Sequence, residues 1–272
     1  MGLSSNILWH QTNYRNLRKI LKDKRILCSY GMEDLSFVSG QKLAFPMVSM
    51  CDLPFSELLS YQGKYGDYSI GLSRDWGIKN KFNPVWYCDP QSAVTEALRE
   101  IFDGLMKNCP QGILFLMHIL SYVKPVEGEL IRHDYKSYRF YDEREVRFVP
   151  SMIEMLKRSV TPILYGEEYD QYKEDHGGVS TLVYGVDFEW ENVKYIIVKE
   201  DKQIDSFRRL LNRLGCPSEA IHVFSATQVK YDFIGGDHNI QVPKYELKEN
   251  DIRNLIQYAL SEYKKKLESA PE

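Results

Sequence analysis

The sequence lacks the patterns that mark several common protein classes. Its five cysteines are odd in number, scattered and without a C-x-x-C pair, which argues against a disulfide framework and a zinc site and suits a reducing compartment. No G-x-x-x-x-G-K-[ST] phosphate loop is present. The longest apolar run, residues 112–122, contains His118 and is too short to span a bilayer. With no secretion signal either, we expect a cytoplasmic protein without metal or membrane contact.

Strong charge of either sign is also missing. A formal net charge of -3 over 272 residues gives no support to a dedicated nucleic-acid binder, although the total does not exclude a local basic patch. Hydrophobic residues make up 43% and charged residues 27%, which is ordinary for a globular protein with a proper core. The excess lies in aromatic residues, 13% with 19 tyrosines, which are common on recognition surfaces and in mixed folds alike.

Short strand patterns alternate with amphipathic helices, which predicts an α+β fold. Residues 92–107 and 201–214 carry apolar residues at helical spacing, and residues 43–50 form an apolar strand pattern. We interpret residues 1–240 as one domain and residues 241–272 as a helical tail. The tail repeats apolar residues at helical spacing over 250–267, so we expect it to pack on the domain or to bind a partner.

Three further stretches carry weaker signals. Residues 132–140 are basic and aromatic, and they are either a solvated loop or a loop that faces a substrate. Residues 165–178 are acidic, rich in tyrosine and predicted to be irregular. Residues 228–233 are predicted to form a short strand.

Two glutamates precede a short apolar strand in the run "YDEREVRFVP", residues 141–150. If Glu145 opens the strand, Glu143 lies in the loop before it, and both carboxylates can point into one cleft. Such a pair can hold ribose hydroxyls and stabilise a developing oxocarbenium-like cation. The alternative is an exposed strand entry, where Glu and Arg residues pair across a surface.

Two other stretches could contribute to the same cleft. The first predicted strand ends in His10-Gln11-Thr12, whose side chains can hydrogen-bond an amide or a ribose hydroxyl. The alternative is a buried histidine and a capping threonine. Residues 63–77 combine four glycines with Tyr65 and Tyr68, which indicates sharp turns or a backbone close to a ligand. We therefore predict that His10, the 65–69 region and Glu145 line one cleft.

Three runs together resemble the AbiGi family of bacterial abortive phage-infection proteins. They read "LWHQTNYRNLRKILKDKRILCSYG", "AFPMVSMCDLPFSELLSYQGKYGDYSIGLSRDWGIKN" and "FYDEREVRFVP". The resemblance covers about the first 150 residues. Members of this family are named antitoxins, which implies a partner toxin rather than a chemistry.

The strand-His-x-Thr-helix opening is also similar to DarT-like and other ADP-ribosyltransferases. That resemblance implies a split mixed or antiparallel sheet core with flanking helices. It further implies residue roles toward NAD as the substrate that donates ADP-ribose. The implied catalytic residues are Glu145 and Glu143, and the implied NAD-binding residues are His10, Thr12, Tyr65, Tyr68, Ser69 and Arg74. The second motif departs from a clean S-T-S, and Arg74 only stands in for the expected arginine.

Two functions follow from these resemblances. The first is a phage-defence enzyme that transfers ADP-ribose from NAD to a macromolecular acceptor, either nucleic acid or protein, or that hydrolyses NAD with water as acceptor. The second is a non-catalytic antitoxin that neutralises a cognate toxin. Loss of growth inhibition in Glu145→Gln would indicate the first, and co-purification with a partner would indicate the second.

Overall fold

The computed structural model describes residues 5–58, 64–109, 112–130, 135–176, 182–217 and 221–232. The predicted tail, residues 241–272 with its helix at 250–267, lies outside these residues. The strands are β1 (Ile7–Thr12), β2 (Arg25–Leu27), β3 (Ser29–Asp34), β4 (Lys42–Cys51), β5 (Tyr68–Ser73), β6 (Asn83–Pro84), β7 (Trp86–Cys88), β8 (Val123–Pro125), β9 (Glu127–Leu130), β10 (Tyr135–Arg139), β11 (Glu145–Phe148), β12 (Leu164–Tyr165), β13 (Gly185–Asp187), β14 (Val193–Val198) and β15 (His222–Ser225). The helices are α1 (Tyr14–Asp23), α2 (Ser36–Ser39), α3 (Phe55–Leu58), α4 (Arg74–Lys79), α5 (Ala93–Asn108), α6 (Ile113–Leu120), α7 (Met152–Lys157), α8 (Gly166–His176), α9 (Ile204–Arg213) and α10 (Ala226–Asp232).

A mixed sheet forms the centre of the fold, with strand order β15-β14-β5-β1-β4-β11-β6. Strands β3 and β12 also pair with β4, and β14 with β15 is the parallel pair of this sheet. The ten-residue β4 reads as a continuous apolar run because it is buried along nearly its whole length. This arrangement confirms the predicted α+β class.

Alternate residues of each strand face opposite sides of the sheet. The first face packs against α1 and α9, and its core includes Leu8, Val48, Ile70, Val146 and Ile196. The residues between them face the other side of the sheet, the second face, where two separate apolar clusters form. The first half of β4 places Phe45 there in a cluster with α5, α6 and α7. Farther along, Trp9 centres a small apolar cluster that Cys51 flanks.

Two of the weaker predictions were wrong. Residues 165–178 were expected to be irregular, yet α8 forms because Tyr169 is buried against the main core. Residues 228–233 were expected to form a strand, yet α10 begins at Ala226. The Ser225 hydroxyl accepts from the backbone of Gln228, and the Gln228 side chain accepts from the backbone of Ser225. That reciprocal capping box fixes a helix start.

The 132–140 stretch, left open between a solvated and a substrate-facing loop, contains a strand instead. Its described part is β10, which pairs with β9 as an antiparallel hairpin. Among the helices that the structure describes, none is long and apolar enough to cross a membrane.

Candidate functional site

Five ionisable side chains meet on the second face of the sheet, between the two apolar clusters of that face. This charge cluster consists of Glu33, Lys124, Glu143, Glu145 and Arg147, all of them buried. Strands β3 and β8 supply one residue each, β11 supplies two, and a 3₁₀ turn over Phe140–Glu143 supplies the last. Such burial of charge is tolerated only where every group is paired, so the contacts decide what the cluster can do.

Arg147 is the centre of the charge cluster and is 0% exposed. Its Nε and Nη2 atoms donate to the two carboxylate oxygens of Glu145 at 2.6 and 2.8 Å, a bidentate pair. Its Nη1 atom donates to the carbonyl of Ser121 at 2.8 Å, and Nη2 also contacts Glu33. The guanidinium is therefore held by the carboxylates of Glu145 and Glu33 and by one backbone carbonyl.

Lys124 joins the two glutamates that the sequence singled out. Its Nζ atom lies 2.9 Å from Oε2 of Glu143 and 3.1 Å from Oε2 of Glu145. The other oxygen of Glu143 accepts a hydrogen bond from the Tyr65 hydroxyl, which comes from the turn before β5. The Tyr87 hydroxyl accepts from the backbone N–H of Glu145 at 2.9 Å. Both glutamates are thus held by protein groups rather than open to a ligand.

Three carboxylates share two cations in the charge cluster. Burial alone would raise the pKa of Glu145, but the charges of Arg147 and Lys124 outweigh it and hold that pKa below its usual range. For Glu33 burial wins over the same two cations and raises the pKa. As pH falls, a proton therefore binds Glu33 before Glu145, and Glu145 keeps its negative charge opposite Arg147.

The structure brings Tyr65, Glu143 and Glu145 together, but it separates them from the other predicted site residues. Strand alternation places His10 and Tyr68 on the first face, opposite Glu145: Leu8, Tyr68 and Val146 belong to the core of that face, whereas Trp9 and Cys51 flank Glu145. The same alternation puts Thr12 with His10. The prediction of one shared cleft is wrong, because a shift of one residue along a strand reverses the face.

Of the remaining two predicted residues, Ser69 lies away from the glutamates and Arg74 is paired with a different carboxylate. Ser69 shares their face, yet β1 and β4 lie between β5 and β11, which corresponds to about 14 Å at the usual strand spacing. Arg74 pairs with Asp52 at 2.7 Å. Desolvation lowers the pKa of the half-buried His10, and its Nδ1 atom lies 3.0 Å from the Ser49 carbonyl, so it has a partner within the fold, in line with the alternative interpretation.

The sequence interpretation missed Glu33, Lys124 and Arg147. Arg147 had a detectable signal, since it follows Glu145 by two positions in an apolar strand and must share its face. Lys124 stands alone among apolar neighbours in "YVKPV", which also indicates a buried cation that needs a partner. Within the described ranges, no group of three or more His, Cys, Asp or Glu side chains is arranged to hold a metal.

Comparison with known proteins identifies the family. A family model described as "Putative abortive phage resistance protein AbiGi, antitoxin" matches residues 24–199, more than half of the chain. The chain belongs to the AbiGi family. A curated relative, the abortive phage resistance protein AbiGi of Lactococcus lactis subsp. cremoris, is 30% identical over 126 residues. The predicted family is therefore confirmed.

The matched regions cover only part of each protein. The aligned part covers 39% of this chain and 51% of the curated relative, so the chain spans about half the length of the relative it matches. No solved structure matches the chain. The mixed α+β fold consequently has no ADP-ribosyltransferase neighbour in support, and the resemblance to DarT-like enzymes stays a prediction.

Proposed function

We propose that this chain is the antitoxin of an abortive-infection pair and that it acts by binding its toxin. The observation that carries the proposal is helix α6, with sequence ILFLMHIL, which is apolar at seven of its eight positions. A helix that is apolar all round belongs in a protein interior. Leu116, Met117 and Leu120 are indeed buried, but Phe115 is 64% exposed and Ile119 49% exposed on the outward side.

The two helices that contact α6 also carry exposed apolar side chains. Ile101 of α5 and Leu156 of α7 are 50% and 49% exposed, and α6 packs between their helices. We call Ile101, Phe115, Ile119 and Leu156 the α6 surface. Exposed apolar side chains grouped in this way are typical of protein–protein interfaces, where aromatic and aliphatic anchors supply most of the affinity. The antitoxin description of the AbiGi family supports the same function.

The test is co-expression with the neighbouring gene product whose expression alone arrests growth. The wild-type chain should restore growth and co-purify with the toxin. Phe115→Glu and Ile119→Glu should each abolish both, because a buried unpaired charge opposes docking. Ile78→Glu is the matched control, since Ile78 is 65% exposed on α4 and lies outside the α6 surface. Undiminished rescue by both α6 variants, at unchanged melting temperature, would refute this interface.

ADP-ribose transfer from NAD to a nucleic acid or a protein is the second candidate. One observation favours it: Tyr65, Glu143 and Glu145 converge, as the resemblance implied. It requires the charge cluster to open, because Glu145 is already engaged by Arg147 and Lys124. Labelled NAD incubated with the protein and host lysate should leave no macromolecule labelled. Label that Glu145→Gln removes while the variant stays folded would instead establish the transferase and displace the antitoxin proposal.

A further inference from the structure

Three aromatic rings form a compact group at the edge of the sheet, on its second face. They are Tyr195 of β14 and His222 and Phe224 of β15, which we call the aromatic ridge. The Tyr195 and His222 rings are stacked at 5.8 Å between centroids and 29° between planes. Those of His222 and Phe224 are stacked at 6.1 Å and 26°. The Tyr195 and Phe224 centroids are 6.4 Å apart, so the three rings are mutual neighbours. On β15, the last strand of the described sheet, His222 is the exposed member of the three, while Tyr195 and Phe224 are half-buried.

Two open clefts meet at His222 on the edge strand, the larger on the second face of the sheet and the smaller toward the first face. One cleft, with a volume of about 520 Å³, lies beside Arg74, Lys194 and Tyr195. The other, with a volume of about 330 Å³, runs between β15 and α9 and is lined by Arg208, Asn212 and Phe224. A ligand that crosses His222 would therefore occupy both clefts, which favours an extended chain over a compact molecule.

Cations border both clefts. Arg74 is held in place by its pair with Asp52, and Lys194 donates to the Glu191 carbonyl at 2.7 Å. Arg208 lies on the other side, with 62% of its side chain exposed and only a 4.0 Å contact to Asp205. Asp75 is the acidic residue that lines the larger cleft. The clefts thus offer positive charge on each side of a ring that can extend a stack.

We propose that the aromatic ridge binds single-stranded nucleic acid. One base stacks on the exposed ring of His222, while the adjoining phosphates lie near Lys194 on one side and Arg208 on the other. Stacking on aromatic side chains next to a cationic groove is how unpaired bases are held without a sequence requirement. Because the chain as a whole is acidic, attraction is confined to this edge, and we expect moderate affinity with a shallow salt dependence.

This activity is additional to toxin binding. The aromatic ridge and the α6 surface share no residue, and they belong to different apolar clusters of the second face. Failure of either proposal leaves the other standing. A variant of one surface is expected to keep the activity of the other, so the two experiments separate.

The test is fluorescence anisotropy of the full-length chain with labelled oligo(U) and oligo(dT) of about 12 nucleotides, within the usual site size of such grooves. His222→Ala should weaken binding about tenfold, and His222→Phe should retain it, because phenyl keeps the stacking face. Lys194→Ala and Arg208→Ala should each reduce the slope of log Kd against log salt by about 0.7, the value per neutralised phosphate of a single strand.

Matched controls lie on elements that line neither cleft. Tyr141→Ala removes an aromatic ring that is 56% exposed, and Lys157→Ala removes an exposed cation on α7; both should bind like wild type. The proposal fails if no anisotropy change appears up to about 100 µM protein, the weak limit of non-specific binding. It also fails if His222→Ala binds normally while melting normally, or if uridine monophosphate competes as well as the oligonucleotide does.

Discussion

At the scale of single residues, the surroundings of Arg147 decide what Glu145 can do. A fully buried guanidinium needs a permanent counter-charge, and Glu145 supplies it through two hydrogen bonds. A catalytic glutamate needs the reverse, a carboxylate whose charge is free to face a cation that forms during the reaction. The local sequence shows only that the two glutamates are close, because pairing with Lys124 depends on a strand that lies some twenty positions earlier.

Glu145→Gln tests this structural role. The change keeps size and shape but leaves Arg147 without its main counter-charge, and uncompensated buried charge costs roughly 3–5 kcal/mol. We expect a lower free energy of unfolding by that order, measured by urea denaturation at pH 7. Glu154→Gln is the control, since Glu154 pairs with Lys157 at the surface and its loss should leave stability unchanged. Equal stability of wild type and Glu145→Gln would show that the pair contributes little.

At the scale of elements, the turn before β5 positions Tyr65 over the charge cluster. Gly66, the next residue, has φ +133°, and a Cβ built there would lie 2.1 Å from the carbonyl oxygen of Thr12. Because backbone cannot yield at that distance, any side chain must displace the turn and with it the Tyr65 hydroxyl that donates to Glu143. The glycine-rich stretch was thus correctly predicted to form a sharp turn. The group that it approaches closely is the backbone of Thr12 rather than a ligand.

Gly66→Ala should lower the melting temperature more than Gly40→Ala does. Gly40 also has a positive φ, +72°, but open space surrounds its Cβ position, so that substitution costs only the backbone preference of about 1–2 kcal/mol. Gly66→Ala adds a backbone collision to the same preference. Calorimetry of both variants measures the difference, and equal melting temperatures would mean that the turn relaxes freely.

Periodicity predicted the elements that bury one regular face. Strand β1 was predicted to end at Thr12, as observed, and α5 and β4 were predicted to within about one residue at each end. The failures have a common cause. Helices α8 and α10 carry few apolar residues, and they are fixed instead by one buried tyrosine and by a capping box, which periodicity does not detect. The faces of His10 and Tyr68 were predicted wrongly for a different reason. Successive residues of a strand point to opposite faces, so an error of one position in the pairing of strands reverses the face.

At the scale of the whole molecule, the charge cluster gives the free energy of unfolding a distinct pH dependence. The pKa of Glu33 in the folded protein is raised above its ordinary value of 4.5. Between 4.5 and the folded pKa, the folded state binds more protons than the unfolded state, so stability falls as pH rises through this range. Glu145 has a lowered folded pKa, so its contribution is complete above 4.5 and is lost only as pH falls further. The two effects therefore occupy separate pH ranges.

Glu33→Gln should remove the loss of stability above pH 4.5 and leave the loss at lower pH that Glu145 causes. Glutamine mimics the protonated carboxyl, so the variant should gain stability relative to wild type as pH rises above 4.5 and show no such gain below it. Urea denaturation of both proteins across pH 4 to 8 measures this difference. A difference that does not change with pH would mean that folding does not raise the pKa of Glu33.

The charge cluster also has a consequence for the order in which this chain can be completed. Glu33 leaves the ribosome more than a hundred residues before Arg147, and Lys124 leaves it about twenty residues before. A nascent chain that ends before β11 would bury these groups without their partners and would expose β4 as a sheet edge. Fragments divided between β8 and β11 should therefore be unstable alone and should associate with each other. Strand β11 supplies both Glu145 and Arg147, so its pairing with β4 would hold the two fragments together in a reassembled protein.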